Sequence, residues 1–449
     1  MLSDRGRIPY QNVSRETFWS DRAARSKLSP RPGTVQLEII VLDNGLISKG
    51  EHSYHLAVKL TQGLTHRGLR CRIFGARRMK REIVEELGAQ PHFRHSLYDS
   101  CGFSRLEKFG HAAADLFRSS KPAGALRSER RNRQVLNRSF EADLAHLPTD
   151  VWDKDNLVII PAISQHQIFG LTRHLWHRPE DQWPRILCTL MFEPSWTPWG
   201  ARARLGDSYY REAFLQAAPF LDSTLTFTVE NDSMRTLYKA AYGIDPKILP
   251  LPFEGAPPKR RTEGVLRVGY FGYSKRDKGF HLLPEAIALC QNQGLQVEFI
   301  VQIQHENWEP HVIEAERRLR RLAGVEFLTG VLPADDYADW TGRTDIVLLP
   351  YDPIAFGAAR GSGIFIESVV AGRPIIAAKG TFAGSAVERG EAEGETFEPY
   401  TSEALAEAIA RLIGRWPLSS AQAAVKAEHF ARQHNGEAYI DLLLALGAR

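Results

Sequence analysis

At 449 residues the chain is long enough for two or three domains, and its net charge of +4 is too small for wholesale nucleic-acid binding. The four cysteines, Cys71, Cys101, Cys188 and Cys290, are too widely spaced for a zinc or redox motif, so reduced cysteines in a cytosolic protein are expected. No stretch approaches the ~20 apolar residues of a membrane span, and the polar segment 1–34 lacks the apolar run of a secretory signal.

Val35–Asp43 reads as a β-branched strand, followed by the loop NGLISKG. Glu51–Arg67 has helical spacing, with Leu56, Leu60 and Leu64 on one face. Gly68 stops that helix and Arg70–Gly75 is the next strand, a unit that implies parallel strands with a right-handed crossover. The region from about 103 to 147 departs from this pattern. Between Arg105 and Arg138 nine lysines and arginines face only Glu107, Asp115 and Glu129. Two readings stay open: a solvated helical insertion, or a surface for an anionic partner such as a membrane face or a phosphorylated acceptor. Buried strands resume at Leu157–Ile163, Arg185–Met191 and Ser223–Val229, and Asn231 and Ser233 can cap the helix leading to Tyr242.

The stretch IDPKILPLPFEGAPPKRRTEG is rich in proline and reads as a linker. A second alternation follows, with strands at Val265–Phe271, Val297–Gln302, Val325–Leu328, Asp345–Pro350 and Pro374–Ala377. Helices fit Gly279–Asn292, Pro310–Leu322, Pro333–Thr341 and Gly363–Ala371, and Ser402–Leu446 is a helical tail. The expected fold is therefore α/β, with two Rossmann-like, doubly wound domains facing a cleft. The expected divisions are a tail at 1–34, an N-terminal domain at 35–250, a linker at 251–264, a second domain at 265–430 and a closing helix at 431–449 that can pack back on the first domain.

In such folds ligands sit at the carboxyl ends of the strands, so the loops after each strand carry the chemistry. Arg360, Gly361, Ser362 and Gly363 open a helix, where unpaired amides and the dipole favour an anion, and Glu367 lies one turn further on. A pyrophosphate and a ribose would suit that spacing. Ser274, Lys275, Arg276 and Lys278 follow the first strand of the second half, as phosphate-binding cations or as surface charge. In the first half, Asn44 and Gly50 follow the first strand, and His166 follows LVIIPAI as an acid/base, a sugar contact or a cap. Glu193 and Trp196 suit carbohydrate, or a loop that packs its tryptophans. Fingerprints for NAD, ATP and serine hydrolysis are missing, and Asp153-Lys154-Asp155 stands at the wrong end of a strand for a metal–diphosphate site.

The second half resembles the GT-B glycosyltransferases, in particular the group 1, family 4 type of retaining nucleotide-sugar transferases. The likeness rests on VGYFG followed by KGFHLL, on ADDYADWTGRTDIVLLPY and on GSGIFIESVVAGRPIIAAKGTFAGSAV. In the first half it is carried by KGEHSYHLAVKLTQGLTHRG. The resemblance implies a hexosyltransferase using a nucleotide-diphosphate-sugar as co-substrate, with no other cofactor. Cysteine usage adds the expectation of a cytoplasmic protein, the small net charge that of no nucleic-acid partner, and the cations and backbone amides at the diphosphate that of no metal. Donor diphosphate contacts would come from Lys278 and Gly361–Gly363, with ribose contacts from Glu367. Gly50 would lie by the donor phosphate and His166 near the reacting sugar. Acceptor contacts are expected from Asn44, Glu193 and Trp196, with a carbohydrate, lipid-linked or small-molecule acceptor. Peripheral membrane contact through residues 105–138 is the open alternative for localisation.

The sequence departs from the family in two places. The first of the family's paired glutamates falls at Ala359, and the phosphate-binding arginine falls at Tyr273, with Lys275 or Arg276 as substitutes. An epimerase or phosphorylase on the same fold, or a non-catalytic sugar-nucleotide-binding scaffold, are the competing readings.

Overall fold

Among the described residues, thirteen strands alternate with helices in chain order and fall into two wholly parallel sheets. They belong to a computed structural model that describes residues 37–49, 52–101, 124–194, 196, 205–253, 264–304 and 310–448. The predicted tail at 1–34, Gly50 and most of the basic insertion lie outside these residues.

The first sheet comprises β1 (Glu38–Asp43), β2 (Arg70–Ala76), β3 (Gln90–Phe93), β4 (Leu157–Ile160), β5 (Arg185–Thr189), β6 (Leu225–Val229) and β7 (Lys247–Ile248). Its order is β3-β2-β1-β4-β5-β6-β7. Its helices are α1 (His52–His66), α2 (Arg81–Leu87), α3 (Gly124–Ala145), α4 (Gln165–Trp176), α5 (Gly206–Ala217) and α6 (Asp232–Tyr242). The second sheet comprises β8 (Leu266–Tyr270), β9 (Val297–Ile303), β10 (Val325–Thr329), β11 (Ile346–Leu349), β12 (Ile375–Ala378) and β13 (Gly394–Phe397), in the order β10-β9-β8-β11-β12-β13. Its helices are α7 (Leu283–Asn292), α8 (Pro310–Leu319), α9 (Ala334–Gly342), α10 (Gly363–Val370), α11 (Phe382–Glu388) and α12 (Ser402–Gly414). Two further helices, α13 (Trp416–Gln433) and α14 (Gly436–Gly447), close the chain.

Each sheet is buried on both faces, so its strands read as apolar runs rather than alternations. Ile40, Leu42, Val158 and Phe227 fill one side of the first sheet, and Ile39, Val41, Ile159 and Leu187 the other. The second sheet does the same with Val268, Phe299 and Leu348 against Ile300, Val347 and Ile375. Strand β4 ends earlier than expected because Pro161 has no N–H to continue the ladder. Strand β3 is the edge of its sheet, where Pro91 is tolerated.

The helical tail is three helices, and the last crosses to the first sheet. Tyr439, Ile440 and Leu443 of α14 share a core with Leu60 and Leu64 of α1. Gly63 admits Ile440 so closely that a Cβ there would lie 2.7 Å from its Cγ1. Among the described residues no helix is long and apolar enough to cross a membrane.

Candidate functional site at the carboxyl ends of the two sheets

In each sheet the strand order reverses beside the first strand, between β1 and β4 and between β8 and β11. Such a switch point opens a crevice at the carboxyl edge. In the second half, the loops leaving β8 and β11 are tied together there. Asp352 N donates to Asp277 O at 2.8 Å. Gly279, with φ +74°, lies so close to Pro350 that a Cβ would stand 1.8 Å from its carbonyl oxygen. Gly272, with φ +92°, sits between the Lys278 ammonium and Ile364 of α10. A Cβ on it would be 3.6 Å from Lys278 Nζ and 2.7 Å from Ile364 Cδ1. The lysine and the first turn of α10 are therefore neighbours.

Helix α10 starts at Ser362, whose Oγ accepts from Phe365 N at 3.4 Å and lies 3.0 Å from Tyr351 Oη. Gly361 and Gly363 flank it. Glu367 follows on the same helix, and Tyr337 Oη donates to its Oε2 at 2.7 Å. Burial raises the Glu367 carboxyl, against the pull of that hydrogen bond and of Lys59 on α1. The remaining cations differ. Arg360 lies over the Phe356 ring at 4.4 Å and 4.0 Å from Asp277 Oδ2. Lys275 stands 4.8 Å from the Tyr273 ring centre, and Arg276 belongs to the short turn Arg276–Lys278. The Ser274 hydroxyl is turned inward, accepting from Gln304 N at 3.1 Å.

The first half presents a different edge. Asp43 Oδ1 accepts from Gly45 N at 2.8 Å and from Ser53 Oγ at 3.3 Å, fixing the loop that holds the buried Asn44. His166 lies in the first turn of α4, which Ser164 and Gln167 close with a reciprocal cap. Its ring is buried with Nδ1 unpartnered, and burial, aided by Arg133, lowers its pKa to about 3. Burial thus favours the neutral imidazole, which can accept or donate a hydrogen bond. Arg133 itself is sandwiched between the Phe169 and Tyr209 rings at 4.3 and 4.0 Å. That cation of the basic segment faces the core and not a partner. Trp196 stacks on Phe192 at 3.9 Å, with Tyr98 edge-on to both.

Three groups on this edge reach the second half. The Glu193 carboxylate lies against Gly357, where a Cβ would stand 2.2 Å from Oε1. Asn231 caps α6 through Oδ1 and donates from Nδ2 to Ala359 O at 3.0 Å. Glu230 stands against Gly361, where a Cβ would lie 2.6 Å from Oε2. Burial raises Glu230 to about 7 despite Arg360. Ala359 is itself buried, packed into the core of the first half.

Sequence reasoning did not single out Glu230, Tyr337 or Lys59. Glu230 was the one within reach, since it directly follows a buried strand. Tyr337 and Lys59 are helix residues whose role depends on packing. A cluster of His95, Asp99 and Cys101 follows β3, with Cys101 Sγ 3.3 Å from His95 Nδ1, but Asp99 is already paired with Arg78 at 2.6 Å.

Comparison with known proteins bears on the fold that carries these residues. Residues 263–415 match the family model described as Glycosyl transferases group 1. The whole fold is similar to that of sucrose-phosphate synthase from Thermosynechococcus elongatus, with TM-score 0.61 and 13% identity over 92% of this chain and 98% of that one. A glycosyltransferase from Rickettsia africae gives 0.59 and 12% over 92% and 98%. The Anabaena protein HepE, solved in complex with UDP-glucose, gives 0.58 and 16% over 91% and 99%. A search of the curated proteins gives no match. The two-sheet architecture is the GT-B fold.

Proposed function

We propose that this chain, which has the GT-B fold and a group 1 glycosyltransferase domain at residues 263–415, transfers a sugar from a nucleotide-diphosphate-sugar to an acceptor hydroxyl. The observation that carries the reading is the meeting of Lys278 and the start of α10 at Gly272, with Glu367 one turn away. A cation and a helix N-terminus at one point suit a diphosphate, and a carboxylate held by Tyr337 suits two ribose hydroxyls. The structure of HepE with UDP-glucose supports the same donor class.

In this reading Lys278 and the amides of Gly361–Gly363 offset the charge that grows on the departing diphosphate, so no metal is required for that step. Retention at the anomeric centre follows the family resemblance. His166, neutral and buried, is assigned a hydrogen-bonding and positioning role beside the reacting sugar. The acceptor, whether carbohydrate, lipid-linked or small-molecule, would lie on the first half, near Asn44, Glu193 and Trp196. A panel of UDP-, GDP- and ADP-sugars, assayed for donor hydrolysis and transfer, tests the proposal. Turnover of at least one donor is expected. Tight binding with no turnover across acceptors would replace the enzyme by a sugar-nucleotide-binding scaffold.

A further inference from the structure

Resting on the donor reading above, we infer that the pocket for the transferred sugar is completed across the cleft, with Glu230 and Glu193 of the first half supplying the carboxylates that hold its hydroxyls. The geometry that carries this is a run of alternate small residues in the second half. Gly357, Ala359 and Gly361 face Glu193, Asn231 and Glu230 in turn. At both glycines a side chain would occupy the space now held by a carboxylate. Ala359 is buried in the first half's core, so an acid at that position would have to be forced into apolar surroundings.

Glu230 also lacks what a purely structural carboxylate has. Among the described residues no hydrogen bond to it is found; the charged group acting on it is Arg360, and the Tyr439 phenol of α14 is also within its electrostatic reach. A half-buried carboxyl without donors is costly, and sugar hydroxyls would supply them. It stands beside Gly361, where the diphosphate is placed, so the sugar bonded to that diphosphate lies within its reach. On the sugar side Glu193, Glu230 and Asp277 stand with Arg360, while Lys278 stands on the diphosphate side. The pocket is therefore suited to a neutral, hydroxyl-bearing sugar and repels a uronate.

The test separates the nucleotide from the sugar. For wild type and Glu230→Gln, the Kd of a free nucleoside diphosphate is measured by calorimetry, and turnover of the accepted NDP-sugar is measured across pH. The glutamine variant is expected to keep the diphosphate affinity within about twofold and to lose on the order of 100-fold in turnover. Wild-type turnover should rise with pH through about 7, and the variant should lack that limb. Because the substitution is isosteric and removes a half-buried acid whose charged form is disfavoured, its melting temperature should match or exceed wild type, which excludes misfolding. Glu193→Gln should show a smaller loss of the same kind, and a hexuronate donor should react far more slowly than the neutral hexose. Unchanged turnover in Glu230→Gln, or equal use of the hexuronate, overturns this inference while the donor reading stands. Failure of wild type to bind any nucleoside diphosphate overturns both.

Discussion

The two halves share one strand order around the switch point, yet their carboxyl edges differ in kind. The second half offers cations and a helix start, held by glycines that admit backbone to within contact of backbone. The first half offers a neutral buried histidine, stacked aromatics and carboxylates that project to its partner. Sheet order decides where a ligand sits, and the loops decide which end of it is held. On this view the second edge grips the anionic end of a donor, and the first completes the sugar end.

The sharpest way to break the comparison is at the glycine that locks the second edge. Gly279 occupies the left-handed region and lies under Pro350 O, so Gly279→Ala adds both a backbone penalty and a backbone clash. Together these should cost about 2–5 kcal/mol. Chemical denaturation should show the loss, and a wild-type midpoint would mean that the lock is not rigid.

Acid should next separate the first half's interior from the cleft. Burial, helped by Arg178 and His177, lowers His174 on α4 from 6.5 to about 4. Below pH 6.5 the unfolded chain takes up a proton that the folded chain refuses, so stability falls as pH drops from 6.5 towards 4. The cleft carboxyls of Glu230 and Glu367 have raised values and act in the opposite sense, favouring the folded form as pH falls. His174 lies 4.4 Å from the Trp152 ring with Nε2 unpartnered, so phenylalanine can replace it. His174→Phe should flatten the acid limb by up to about 3 kcal/mol, read from stability curves at the two pH values. An unchanged limb would place the acid sensitivity elsewhere.

Within the second edge, the cation should outweigh the helix. One charge about 4 Å from a phosphate contributes about 4 kcal/mol at an effective dielectric near 20 before desolvation, whereas a helix start contributes about 0.3–1 kcal/mol. Lys278→Ala should weaken nucleoside-diphosphate binding roughly 10–100-fold and Ser362→Ala only a few-fold. Equal affinities by calorimetry would reverse the ranking.

The sheets were legible because parallel strands buried on both faces leave long β-branched runs such as VQLEIIVLD and DIVLLPY. Short edge strands were not. QPHF contains a proline and GETF is half polar, and both pair only because a neighbour is already in place. The same limit governed the site. Lys278 and Gly361–Gly363 are local to one loop or one helix start, so spacing is enough to single them out as candidates. The meetings of Glu230 with Gly361 and of Lys59 with Glu367 join residues more than a hundred positions apart. No local pattern encodes those contacts, although a rule that inspects the first residue after every buried strand would have flagged Glu230.

The smallest effect is expected where the chain's last helix returns to the first half. Arg67 donates to Asp441 Oδ1 at 2.6 Å and also pairs with Glu437 at 2.7 Å, which looks like a clasp between α1 and α14. Asp441 is 69% exposed, however, so water competes for the pair and salt screens it. Ile440 and Leu443 are buried beside Gly63 and Leu60, and this apolar seam should hold the helix whether or not the ion pair forms. Asp441→Asn should therefore cost less than about 1 kcal/mol, and less still in high salt. A loss of several kcal/mol by denaturant titration would mean that charge, not burial, fixes α14 to the opposite half.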